Sequence, residues 1–146
     1  MELTKNITWD KNEEYTDNLD KLKELLKEIK IYIGEPRLLS YFEEDKKSGS
    51  KRNTYTVDVK RGDIKISFKY GDSIDNTEKH KSPTLDDVLN CIKSDFFCPE
   101  DFKEFCGEYG YDKDSIKAKD VFKKLKRMSQ KLHSIFTEEE MEWLPN

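Results

Sequence analysis

Residues 54–70 read TYTVDVKRGDIKISFKY, and the fold class turns on this stretch. Tyr55, Val57 and Val59 alternate with polar residues, and Ile64, Ile66, Phe68 and Tyr70 repeat the alternation. Successive side chains of a strand point to opposite faces, so a period of two gathers these apolar residues on one face. Residues 60–63, with Gly62 among them, are predicted to join the two runs as a tight hairpin. Its apolar face must then be covered by another part of the chain. Arg61-Gly62-Asp63 also spells a cell-adhesion tripeptide, which turn chemistry accounts for without adhesion.

Polar stretches flank the hairpin. Residues 43–53 and 71–81 are almost free of apolar side chains and read as exposed loops. Further upstream, Leu19, Leu22, Leu25, Leu26 and Ile29 recur at steps of three and four, the period of an amphipathic helix. Thr16 or Asp17 would cap its start, and Gly34 and Pro36 would end it. Leu38, Leu39, Tyr41 and Phe42 predict a short second turn of helix. Residues 1–15, with Leu3, Ile7, Trp9 and Tyr15, carry no assignable period.

Downstream the chain reads as helical. Thr84-Leu85-Asp86-Asp87 resembles a capping box, followed by Leu85, Val88, Leu89 and Ile92 on one face. Pro99 is expected as a first helical residue ahead of Phe102, Phe105 and Cys106, with Gly107 and Gly110 punctuating that helix. Ala118, Val121, Phe122, Leu125, Met128, Leu132, Ile135 and Phe136 predict a long amphipathic helix beginning near Asp114 or Ser115. Thr137 with Glu140 gives a second capping box before Met141, Trp143 and Leu144. The expected fold is α+β: helices packed on a small antiparallel β-hairpin or sheet, with a helical C-terminal half. Residues 1–53 read as an N-terminal helical extension with an exposed loop. Residues 54–146 read as the hairpin and helical domain, the two forming one compact unit.

A chain of 146 residues has room for a core without disulfides or metal. Only 34% of residues are hydrophobic and 40% are charged, so the core must be small; the 12% aromatic content makes it feasible, because each buried ring removes a large apolar area from water. The net charge of −4 speaks against a protein devoted to the nucleic-acid backbone. Cys91, Cys98 and Cys106 are odd in number, no leader-like or membrane-length apolar run is present, and reduced thiols in the cytosol are expected.

The charges are segregated. Asp86, Asp87, Asp95, Glu100, Asp101, Glu104, Glu108, Asp112 and Asp114 face only Lys93, Lys103 and Lys113 in the same segment. The sign then reverses through Lys117, Lys119, Lys123, Lys124, Lys126, Arg127 and Lys131. The tail is acidic again through Glu138, Glu139, Glu140 and Glu142. Such a layout can steer a partner. Glu100, Asp101, Glu104 and Glu108, with Asp112 and Asp114 beside them, are the candidate acidic surface for a positively charged groove. Lys119, Lys123, Lys126, Arg127 and Lys131 are the alternative, a face for phosphates. Each pattern also occurs as a plain solvated face.

Catalytic and metal-binding signatures are missing. The three cysteines are spaced too widely for a zinc site, and His80 and His133 lie far apart in the chain. Asp112-Lys113-Asp114 opens like a calcium loop, but Lys117 stands where a glycine is needed and Lys123 where a bidentate glutamate belongs, so helix capping is the better reading. No phosphate loop, dinucleotide turn or nucleophile elbow occurs. No metal and no cofactor is therefore expected, and His133 reads as a surface residue.

As a set, several motifs resemble a family of small, poorly characterised proteins of phages, prophages and other mobile elements. They are the hairpin Tyr55-Thr56-Val57 to Ile66-Ser67-Phe68 and the helix Pro83-Thr84-Leu85-Asp86-Asp87-Val88-Leu89. Phe102-Lys103-Glu104-Phe105-Cys106, Gly110-Tyr111-Asp112, Asp114-Ser115, Lys117-Ala118 and Phe136-Thr137-Glu138-Glu139-Glu140 complete it. The resemblance spans residues 54–144, and residues 1–53 depart from it. It implies no catalytic residue. It implies a small accessory protein in a host cytosol, and some similar proteins are suspected anti-CRISPR or anti-restriction factors. The expected activity is stoichiometric inhibition of a CRISPR effector or other defence nuclease, not catalysis. A nucleic-acid-binding accessory protein of phage replication is the second expectation; no membrane partner is expected.

Overall fold

The fold comes from a computed structural model, which describes residues 1–7, 18–40, 51–73 and 82–145. Its elements in chain order are α1 (Leu19–Glu28), β1 (Ile29–Ile33), β2 (Arg37–Ser40), β3 (Lys51–Arg61), β4 (Ile64–Ser73), α2 (Leu85–Phe96), α3 (Phe102–Tyr109), α4 (Ile116–His133) and α5 (Glu138–Trp143), with a 3-10 turn at Leu3–Asn6. The class is α+β, an antiparallel sheet with a helical C-terminal half. The chain divides into two compact units, Met1–Val88 and Leu89–Asn146.

The first unit is built on β3. It pairs along its length with β4 in the expected hairpin, Val57 opposite Phe68 and Val59 opposite Ile66. Gly62 has φ 59 and Asp63 stays at negative φ, the arrangement of a two-residue type II′ turn, in which the first central position requires glycine. Nothing lies within 4 Å of a Cβ built there, so the penalty for a side chain is purely one of backbone. Gly62→Val is therefore expected to lower the unfolding free energy by about 1–2 kcal/mol, read from the urea midpoint.

The other edge of β3 holds a feature the sequence reading missed. Ile29, assigned to the first helix, begins β1: the helix stops at Glu28, and Ile29, Ile31 and Ile33 alternate buried with exposed Lys30 and Tyr32. The 3.6-residue period of the leucines runs into the two-residue period of Ile-Lys-Ile-Tyr-Ile, and pairing of these β-branched residues with residues 57–61 decides between them. Leu38 and Leu39, expected in a helical turn, lie in β2, which pairs with residues 51–54. The expected loop 43–53 thus gives up 51–53 to β3, and β4 takes 71–73 from the second loop.

β1 and β2 lie end to end along β3. Ile33 faces Val57 and Arg37 faces Thr54, so Gly34, Glu35 and Pro36 span two residues of β3 and form a bulge. The Gly34 amide still donates to Thr56 O at 2.8 Å. Pro36, which lacks an amide hydrogen, falls in this edge break, where no ladder bond is lost. The apolar face of the sheet carries Tyr55, Val57, Val59, Ile29, Ile31, Ile33 and Ile66, and α1 packs there through Leu22, Leu25 and Leu26. Arg61 of the adhesion-like tripeptide pairs with Glu28 at 2.7 Å. The N-cap position of α1 is Asn18; Trp9, Tyr15, Thr16 and Asp17 lie outside the described residues, as do Tyr41, Phe42, residues 43–50 and 74–81 of the expected loops, and His80.

α2 begins with the expected capping box: Thr84 N–H donates to Asp87 Oδ2 at 2.9 Å, and Asp87 N–H to Thr84 Oγ at 3.2 Å. The unit boundary falls within this helix. In the second unit, buried Leu89, Ile92 and Phe96 continue its apolar face. Ser129 of α4, buried, donates to the carbonyl of Phe96 at 2.7 Å, and Lys93 donates to Leu144 O at 3.2 Å. The first bond satisfies a carbonyl at the helix end that has no partner within the helix. Ser129→Ala leaves it unpaired and is expected to cost about 1–3 kcal/mol. Hydrogen exchange at the end of α2 reads the loosening directly.

α3 begins at Phe102, not at Pro99, because the Asp101 carboxylate is the cap, accepting from Glu104 N at 2.7 Å. Gly107 lies inside this helix, and Gly110 ends it with φ 75. Ser115 caps α4, accepting from Ala118 N at 3.2 Å. α4 closes at His133, short of Ile135 and Phe136. Thr137 must leave the helix to cap α5 in a capping box with Glu140, and buried Phe136 and Met141 flank that cap as a hydrophobic staple would.

Candidate functional site

α3 and α4 are joined by the turn at residues 110–115 and pack around one aromatic cluster. Phe105 is wholly buried at its centre, with Cys106, Ala118, Phe102, Tyr111, Val121, Phe122 and Leu125 around it. Ring centroids of Phe122, Tyr111 and Tyr109 lie 5.1, 5.5 and 4.9 Å from that of Phe105. This cluster fixes which helix faces point outward, and those faces carry the charge.

On α3, Asp101, Glu104 and Glu108 follow at steps of three and four, which stacks them in one stripe, and all three are exposed. Glu100 is exposed just ahead of them, and Asp112 and Asp114 in the following turn. Asp101 also has a structural task as the α3 cap. Asp112 contributes its carbonyl, which accepts from Ser115 N at 3.1 Å and from the Cys106 thiol at 3.9 Å. Among the described residues no Lys or Arg pairs with any of these six carboxylates.

On α4, Lys119, Lys123 and Arg127 repeat every four residues on the exposed face, with Lys131 beside them. Lys126 differs: its ammonium sits 5.9 Å from the Phe122 ring centroid, a cation–π distance. Ile116 is 79% exposed in the first turn of the same helix. The acidic and basic sets therefore belong to different helices, each presented to solvent.

Two exposed aromatics escaped the sequence reading: Phe97, just past α2, at 54%, and Tyr109, at the end of α3, at 47%. Partial burial raises the Tyr109 phenol pKa, and the negative charges of Glu108 and Asp95 add to the shift. Tyr109 thus belongs to the same acidic neighbourhood as the α3 stripe. Its signal in the sequence was position: it follows Phe102 and Phe105 at helical spacing but falls at the edge of their face. His133, expected at the surface, is exposed and stacks on Phe96 at 3.9 Å.

The thiols are quiet. Burial, then the neighbouring Asp95 carboxylate, pushes Cys91 up to about 12. The thiolate is the reactive form, so at pH 8 only about one Cys91 in ten thousand is ionised. Iodoacetamide labelling followed by mass spectrometry should find Cys91 nearly unmodified in the folded chain. Burial also raises Asp95, against a smaller opposing effect of its hydrogen bond from Cys91 at 3.8 Å. A carboxyl pKa raised by folding means that the folded chain holds that proton more tightly. Its contribution is full below the ordinary aspartate range and is lost as pH rises through the raised value. Asp95→Asn is accordingly expected to stabilise the chain at neutral pH, with the gain vanishing in acid; paired urea titrations at the two pH values check this.

Among the described residues no three His, Cys, Asp or Glu side chains are arranged to hold a metal ion, and no helix is long and apolar enough to cross a membrane. No protein-family model, curated protein or solved structure matches the chain.

Proposed function

We propose that this protein is a mobile-element-encoded inhibitor of a bacterial immune nuclease, such as a CRISPR effector, acting in the host cytosol by stoichiometric binding. The observation that carries this reading is the exposed stripe of Asp101, Glu104 and Glu108 on α3, whose carboxylates have no cationic partner among the described residues. A row of fixed negative charges on a rigid helix suits a groove built to hold phosphates. Exposed Tyr109 beside Glu108 supplies the kind of aromatic anchor that carries binding energy at protein interfaces. The resemblance to small mobile-element proteins agrees with such a role.

The test is capture of host proteins by the tagged chain from a lysate containing CRISPR effectors, treated with nuclease before elution. Recovery of one effector after that treatment is expected. Recovery only with nucleic acid intact would instead favour the second reading, a nucleic-acid-binding accessory protein using Lys119, Lys123, Arg127 and Lys131. The exposed alignment of Lys119, Lys123 and Arg127 supports that alternative, and its binding would weaken steeply with salt.

A further inference from the structure

The sheet has a second face, opposite the one covered by α1, and its residues follow from the register. Lys30 of β1 faces Lys60 of β3, which faces Lys65 of β4, so three lysines occupy one row across three strands. The next row is Tyr32, Asp58 and Ser67, and the row after it places Thr56 opposite Lys69. Lys30, Lys60, Lys65 and Lys69 are all exposed, and Tyr32 is 52% exposed.

Like charges directly opposite on neighbouring strands, about 5 Å apart at Cβ, repel and destabilise a sheet. The two acids in the described rows of this face are already engaged: Ser67 donates to Asp58 at 2.5 Å with Lys65 3.7 Å away, and Glu2, which bridges to Tyr32, pairs with Lys5 at 3.5 Å. Lys30, Lys60 and Lys69 have no acidic partner among the described residues. Lys30 and Lys60 thus keep a repulsive arrangement that a polyanion would relieve. Tyr32 adds a requirement that simple anions do not meet. Its backbone bridges to Glu2 and its strand is held by β3, so the ring stands on a fixed pleat one row from the lysines.

We propose that this sheet face binds single-stranded nucleic acid, with Lys30, Lys60 and Lys69 meeting phosphates and Tyr32 stacking on an unpaired base. A flat strand surface that offers both cations and an exposed ring suits a chain whose bases are free to stack, whereas a duplex keeps its base faces occupied. The acidic stripe of α3 takes no part in this contact, so the inference stands apart from the proposed inhibitory role.

Fluorescence anisotropy of the full chain with labelled oligothymidylate and oligouridylate of roughly twenty nucleotides tests it. A duplex of equal length serves as comparison, from about 50 to 200 mM salt. Both single strands are expected to bind more tightly than the duplex; preference between them separates a DNA source from an RNA source. Lys30→Gln with Lys60→Gln should weaken binding and flatten the log–log salt slope by about 1.4, two phosphate contacts on a single strand. Tyr32→Ala should weaken it about tenfold with the slope unchanged, the loss of one stacked base. Tyr32→Phe should retain the affinity, and Lys103→Gln with Lys113→Gln, exposed lysines outside this face, should leave it unaltered. Circular dichroism confirms that each variant is folded. Absence of binding at the lowest salt, loss confined to Lys123→Gln with Arg127→Gln on α4, or competition by polyglutamate as strong as by the oligonucleotide would each overturn the proposal.

Discussion

Phe105→Ala is expected to lower the unfolding free energy by about 3–5 kcal/mol, the largest effect of any single truncation in the α3–α4 cluster. The side chain is wholly buried, and three aromatic rings lie with centroids about its own at 4.9–5.5 Å. Removing it deletes apolar area and leaves a void that stiff neighbouring rings fill poorly. Since whole domains are stable by only about 5–15 kcal/mol, this is a large share of the total, and the helical signal should melt at a clearly lower temperature. Urea titration followed by far-ultraviolet circular dichroism measures the loss. Phe102→Ala, at a half-buried ring of the same cluster, should cost distinctly less. Equal costs would mean that Phe105 is not the centre of that core.

Glu104→Lys combined with Glu108→Lys is expected to weaken binding of the captured effector at least about 100-fold without changing the fold. Both side chains are exposed and neither caps a helix, so the substitution acts on the surface alone. Asp101 is left intact because its carboxylate holds the Glu104 amide and its loss would confuse binding with stability. Titration calorimetry of the purified pair reads the affinity. An unchanged affinity in the folded double variant would remove the α3 stripe from the interface.

The hairpin, the capping boxes at Thr84 and Thr137, the start of α4 near Asp114 or Ser115 and the charge-bearing helices were legible in the sequence, because each rests on interactions within a few residues. The edge of the sheet was not. Ile29 satisfied the helical period of the preceding leucines as well as the strand period that follows, and only pairing with the distant Arg61 distinguishes the two. Leu38 and Leu39 were hidden for the same reason, since four residues carry too little pattern to define a strand. The face of Lys30, Lys60 and Lys65 is likewise a product of register, invisible until β1, β3 and β4 are laid side by side. On α3 and α4 the charged sets were readable as sequence runs. Which members share a stripe, and that Lys126 lies against Phe122, depended on the aromatic cluster between the helices.

The bulge at Gly34, Glu35 and Pro36 bears on self-association. A straight, unbroken edge offers unpaired amides and carbonyls in register, the template on which a second copy adds a strand. Here the β1 half of the edge is already taken by Met1 and Glu2, which pair with Ile33 and Tyr32; beyond it the edge is offset by one residue, and proline removes an amide at the break. An incoming strand aligned with β2 is therefore out of step with β1 and blocked there, and growth of a shared sheet from that edge stops within a few residues.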